Sequence, residues 1–205
     1  MLGVVEVEPL ETLIVPGLNG SGAGHWQSLL ADHLPHARML SQENWECPVI
    51  TDWLASIEQE LERQSQGVWI VAHSLGCLLT ANLAERTAAR RIKGALLVAP
   101  CHLENVERLH PCIVNFGAMP EKRLPFPSLV VGSRNDPYMS FDGARDWASR
   151  WGSGFVDAGY AGHINIASGH GPWPEGERLF QQFRAHHSAD QYAGTAAPSK
   201  TRQSA

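Results

Sequence analysis

Short apolar runs alternate along this chain with longer stretches of helical spacing, the pattern of a parallel sheet whose faces are covered by helices. Thr12–Val15 reads as a buried strand ended by Pro16-Gly17. Helical spacing follows from His25 to Leu34 and stops before Pro35, and Ala37–Leu40 predicts a short second strand. From Pro48 to Gln64 the apolar residues Val49, Trp53, Ile57 and Leu61 fall on one face of an amphipathic helix, with Pro48 suited to its first turn. Val68–Ala72 is continuously apolar, as a central parallel strand requires, and Ser74–Ala89 is rich in Leu and Ala and reads as helix. Ala95–Ala99 and Leu129–Val131 predict two further strands, Asp142–Trp151 a helix, Gly154–Val156 a last short strand and Glu175–His186 a closing helix.

Two stretches break the alternation. Pro100–Pro127, which carries Pro111, Pro120 and Pro125, reads as a long irregular segment, too short for a separate cap domain and pointing to an open site. Ser188–Ala205 has almost no large apolar residue and is expected to be a disordered tail, which leaves residues 1–187 as one folded domain. The length of 205 residues fits one domain with a core of its own.

Composition narrows the function classes. A net charge of −5, with basic residues scattered along the chain, argues against nucleic acid, which rewards a concentrated positive patch. Cys47, Cys77, Cys101 and Cys112 show no CxxC spacing, and the ten histidines form no HExxH-like motif, so no zinc knuckle, redox motif or structural metal site is expected. The acidic N-terminal segment is unlike a signal peptide and no stretch approaches the roughly 20 apolar residues of a membrane span, so the expected home is the cytoplasm.

The chemistry begins at Ala72-His73-Ser74-Leu75-Gly76, where a predicted strand runs straight into a predicted helix. That is the context of a nucleophile elbow, which lifts a serine hydroxyl above the sheet edge and tolerates only small residues two places to either side. Ala72 replaces the usual first glycine but keeps the volume low. Serine is also favoured at helix N-caps for purely structural reasons, so the pentapeptide alone leaves both readings open.

A serine hydroxyl is a weak nucleophile and needs a base that is itself oriented by a carboxylate, in the chain order serine, acid, histidine. Asp136 lies just past the strand at Leu129–Val131, in Gly132-Ser133-Arg134-Asn135-Asp136-Pro137-Tyr138, and is favoured over Asp157 as the acid. His163 lies in a glycine-flanked loop after the last strand and is favoured over His170 as the base. Leu75, just after the serine, would supply one oxyanion-hole amide, and Leu18 in the glycine-rich loop after the first strand would supply the other, with Asn19 the alternative. His25, Trp26, Asn19, His73 and Trp173 are expected around the substrate, although Trp26 and Trp173 suit core packing equally well.

Taken together, these segments resemble the small serine hydrolases related to retinoblastoma-binding protein nine. The resemblance rests on Pro16-Gly17 with His25-Trp26-Gln27, the Ser74 and Asp136 motifs, Ala161-Gly162-His163-Ile164-Asn165 with Ser168-Gly169, and Trp173-Pro174-Glu175-Gly176. It implies a single-domain α/β-hydrolase fold with a mostly parallel sheet, no cofactor, and the triad Ser74, Asp136 and His163. The expected activity is cleavage of small carboxylic esters, with amides or thioesters as related substrates, through an acyl-enzyme. The competing expectation is a catalytically weak hydrolase-fold protein acting as a protein-interaction module. Neither nucleic acid nor membrane is expected as a partner, and the oligomeric state is left open.

Overall fold

The computed structural model describes residues 10–110 and 115–193. Six strands, β1 (Thr12–Val15), β2 (Ala37–Met39), β3 (Val68–His73), β4 (Ile92–Val98), β5 (Ser128–Gly132) and β6 (Gly154–Asp157), form one sheet. Their order is β2-β1-β3-β4-β5-β6 and every neighbouring pair is parallel. The helices are α1 (Trp26–His33), α2 (Ile50–Glu62), α3 (Leu75–Ala81), α4 (Leu103–Leu109), α5 (Phe141–Trp151) and α6 (Pro174–Ala193).

The two-residue period of the strands divides the core in two. Leu13, Val15, Ile70, Ala72, Leu97 and Val130 face a cluster that includes Trp53, Ile57 and Leu61 of α2, Leu78 of α3 and Trp151 of α5. Ile14, Trp69, Val71, Leu96, Val98 and Val131 face the other way, against Trp26 and Leu30 of α1 and Phe180 and Phe183 of α6. Both faces of the sheet are therefore covered, which is why its central strands read as continuous apolar runs. The chain leaves β1 toward β2 on one side and later places β3 on the other. Helices α1 and α3 therefore run off on opposite faces of the sheet, and ligands of open α/β sheets bind at such a reversal.

Several predicted elements are adjusted. The helix expected over Ser74–Ala89 ends at Ala81, and the chain re-forms only as a 3-10 turn at Thr87–Arg91. The Thr80 hydroxyl donates to Gly76 O at 2.8 Å and the Asn82 amide to Leu78 O at 2.9 Å, side-chain bonds that compete with continued helix. The stretch expected to be irregular carries α4, whose Leu103 and Val106 turn one short apolar face into the core. Helix α6 continues to Ala193, so residues 188–193 of the expected tail are helical; no Gly or Pro stands between Glu177 and Ala193 to interrupt it. The remainder of that expected tail, and Pro111 with Cys112, lie outside the described residues.

One close approach fixes the relation of β1 to α3. A Cβ on Gly76 would collide with Val15 O and lie 2.6 Å from Pro16 O. Gly76→Ala should therefore destabilise the fold by about 1–3 kcal/mol. A thermal melt should register that as about 2–4 °C per kcal/mol. Gly22→Ala, where nothing lies within 4 Å of the added Cβ, should melt like the parent.

Candidate active site

Ser74 ends β3 and starts α3 in a conformation with φ 54° and ψ −121°, which an L-residue adopts only under constraint from its surroundings. Its amide donates to Val98 O at 3.0 Å, and the Cβ of a residue at Gly17 would lie 2.8 Å from Ser74 Cβ. The hydroxyl makes no capping bond to α3. The purely structural reading of this serine is thus not the one the fold uses.

The hydroxyl instead meets His163, whose Nε2 lies 2.8 Å from Ser74 Oγ. The other ring nitrogen, Nδ1, lies 2.8 and 3.0 Å from the two Asp136 carboxylate oxygens. Both side chains are nearly excluded from solvent, at 8% and 3% exposure for His163 and Asp136, so little water competes for these bonds. Asp136 is oriented in turn by the Tyr138 amide, which donates to its Oδ1 at 2.8 Å. This is the geometry by which a carboxylate fixes an imidazole tautomer and the imidazole takes a proton from a hydroxyl.

The loop carrying His163 is anchored from two directions. On the side of the acid, the Ala161 amide donates to Ser133 Oγ at 3.0 Å and the Gly162 amide to Asn135 Oδ1 at 2.8 Å. On the side of the serine, His73 Nε2 donates to His163 O and Trp26 Nε1 to Ile164 O, both at 2.8 Å. Ile164 is fully buried with φ 47°, a strained state for a β-branched residue. Asn19, Ser74 and Ile164, three of the five described non-glycine residues with positive φ, lie in the loops that converge here.

The proposed oxyanion donors are also close to one another. The Gly17 Cβ position is 3.1 Å from Leu75 N, which brings the loop after β1 against the N-terminus of α3. Among the described residues, the Leu18 and Leu75 amides donate to no protein acceptor. The Asn19 amide donates to Trp45 O at 2.9 Å, which leaves Leu18 the better candidate of the two.

A cleft of about 220 Å³ opens over Ser74, walled by Leu18, Asn19, His25, Val106, His110 and Tyr138. Its described lining holds no Lys, Arg, Asp or Glu. A larger groove of about 710 Å³ runs between β6 and α6, but Ser74 and Asp136 lie outside it. Chemistry rather than size identifies the smaller cleft as the candidate site.

Burial, with His163 nearby, pushes the His25 pKa down to about 4. His73 is held well below the ordinary histidine value by the same two causes in the same order, and next by His25. The Cys101 thiol is pushed up to about 12 by burial, so it remains a thiol and no rival nucleophile at neutral pH.

Two of the expected substrate contacts are corrected. Trp26 and Trp173 do not line this cleft; they pack edge-on at 5.1 Å and border an apolar cavity of about 190 Å³ between α1 and the start of α6. The Trp26 indole turns inward because its N–H finds the Ile164 carbonyl. His25 and His73 do line the cleft, and His25 also caps α1 by accepting the Gln27 amide on Nδ1 at 3.2 Å. Asp157 is occupied by Arg134, whose Nε lies 2.9 Å from its Oδ2 and which holds its carboxyl below the usual range. His170 bonds to Ser168 Oγ at 3.2 Å instead of approaching the serine.

Sequence reasoning missed Ser133, Asn135, Tyr138, Val106 and His110. The polar turn before Asp136 offered a signal for the first two, since Ser and Asn side chains habitually bond nearby amides. Val106 and His110 offered none, because the segment around them reads as irregular.

Known proteins give a consistent picture. A YdeN-like hydrolase from Pectobacterium atrosepticum is 34% identical, the match covering 87% of this chain and 92% of that one, with a TM-score of 0.76. The ydeN product of Bacillus subtilis is 20% identical over 86% of this chain and 99% of its own, with a TM-score of 0.69. An esterase from Thermogutta terrifontis, 14% identical over 94% of this chain and 85% of its own, shares the fold with a TM-score of 0.65. Residues 12–182, which contain every group of the candidate site, match the model of the serine hydrolase family, and the chain belongs to that family.

Proposed function

We propose that this chain hydrolyses small, uncharged carboxylic esters through an acyl-enzyme on Ser74. The observation that carries the reading is the 2.8 Å contact from His163 Nε2 to Ser74 Oγ, with Asp136 behind the same ring. Relatives described as hydrolases, and an esterase of the same fold, support the reaction class.

In the first half-reaction the Ser74 proton passes to His163 Nε2 as Oγ bonds to the substrate carbonyl carbon. Asp136 keeps its charge and stabilises the imidazolium through Nδ1–H. The Leu75 and Leu18 amides receive the oxyanion. The carbon–alkoxy bond then breaks and the alcohol departs with the proton from Nε2. In the second half-reaction His163 takes a proton from water, the hydroxide attacks the acyl carbon, and collapse releases the acid while Ser74 recovers its proton.

The substrate class follows from the cleft. A volume near 220 Å³ suits a short acyl group, and a charged group would meet no described ionic partner in the lining. His25 accepts on Nδ1 and so, when neutral, carries its proton on Nε2, where no described protein acceptor meets it. That N–H is available as a donor for a substrate oxygen, and Asn19 is a second polar residue of the cleft lining.

Purified enzyme should turn over p-nitrophenyl acetate and butyrate faster than the octanoate. Ser74→Ala should lose at least about 10³-fold in kcat while its thermal melt stays close to that of the parent. Unchanged turnover in Ser74→Ala would exclude the acyl-enzyme on this residue.

His25 also sets an acid limit on stability. Its folded value of about 4 lies below the ordinary 6.5, so the unfolded chain binds the extra proton first as pH falls. The contribution, roughly 3 kcal/mol at most, is complete above pH 6.5 and is lost as pH falls toward 4. His25→Asn keeps an acceptor for the Gln27 amide but cannot titrate. Its melting temperature should therefore fall less than that of the parent between pH 7 and pH 4.5; an equal fall would show that His25 does not carry this linkage.

A further inference from the structure

A base that must meet a serine within hydrogen-bond distance needs its backbone held, and the held backbone here is strained. Ile164, next to His163, sits at φ 47° although buried and β-branched, so its own preferences oppose the loop conformation. Two consecutive carbonyls at this point are each taken by a ring N–H from elsewhere in the fold. His73 Nε2 donates to His163 O and Trp26 Nε1 to Ile164 O, both at 2.8 Å. The two donor rings stand edge-on to one another, with centroids 5.8 Å apart at 89°.

We propose that His73 and Trp26 are positioning residues, a paired clamp that sets the His163 ring on Ser74 by gripping the two peptide carbonyls that flank Ile164. This rests on the reading of His163 as the base. His73 directly precedes Ser74, so a single dipeptide at the end of β3 carries the nucleophile and holds the base loop against it. Any drift of the strand end moves both partners together and preserves their separation. Trp26, at the first position of α1, ties the same loop to the opposite face of the sheet from α3. Neither side chain needs to touch substrate for this. The acid side of the loop has its own pair of bonds, to Ser133 and Asn135, so the clamp fixes the remaining freedom, rotation of the loop about that anchor.

The clamp makes a distinctive kinetic prediction, because misplacement of a base by about 1 Å can cost on the order of 10²-fold in rate without affecting ground-state binding. His73→Asn is too short to reach His163 O, whereas His73→Gln places an amide N–H near the position of Nε2. Trp26→Phe keeps an aromatic ring but removes the donor together with part of the buried indole. With p-nitrophenyl acetate, His73→Asn should lower kcat about 30–100-fold and Trp26→Phe about 5–20-fold, each with KM within about threefold of the parent. His73→Gln should recover at least about tenfold of the loss seen in His73→Asn.

The decisive arm is the same pair of changes in a His163→Ala background, where no base remains to be aimed. There, His73→Asn and Trp26→Phe should cause no further loss of the residual activity. Equal losses with and without His163, or parent-like kcat in both single variants, would overturn the clamp. Parent-like kcat in His163→Ala itself would overturn the reading of the base instead, which keeps the two failures apart. Should His73→Asn fail to fold, Trp26→Phe carries the same test alone.

Discussion

Everything in the site depends on the turn at Ser74. A strand that ends in an L-residue at φ 54° and reverses at once into a helix has no slack, and the neighbouring chain must come close enough to enforce it. Gly17 and Gly76 permit that approach, and the result brings the Leu18 loop against the first amide of α3. The sheet order supplies the setting: β1 and β3 are neighbours where the direction of winding reverses, so α1 and α3 leave on opposite faces of the sheet, the arrangement at which such sheets bind ligands.

From this constraint the remaining groups follow as supports. Asp136 and His163 arrive from β5 and β6, the next strands outward beyond β4, and the loops that carry them are tied to one another through Ser133 and Asn135. His163 is tied back to the elbow through His73. The cluster of histidines around Ser74 would be self-defeating if several were charged. Burial holds His25 and His73 neutral, which leaves room for a single imidazolium beside Asp136.

The residues of the candidate site were more legible in the sequence than the packing around them. Ser74, Asp136 and His163 stand out because each sits in a short polar or glycine-rich break after an apolar strand, and such breaks are visible as local composition. The hydrogen bond made by Trp26 was not visible. An indole on the inward face of a helix reads as core, and only the fold reveals that its N–H ends on Ile164 O. The cap function of His25 was hidden for a similar reason, since histidine is not among the residues usually favoured at a helix start. Helix α4 was lost among prolines because a seven-residue helix with two inward apolar residues leaves too weak a period to read. Helix α3 was overextended because its Leu- and Ala-rich composition says nothing of the side-chain bonds from Thr80 and Asn82 at its end.

The most direct test of the central claim is covalent and requires no knowledge of the substrate. Purified protein treated with a fluorophosphonate at neutral pH and digested for peptide mass mapping should carry one phosphonyl adduct, on Ser74, and labelling should slow by orders of magnitude in His163→Ala. Absence of an adduct on folded protein, or an adduct on another residue with Ser74 unmodified, would contradict the assignment of Ser74 as the activated nucleophile.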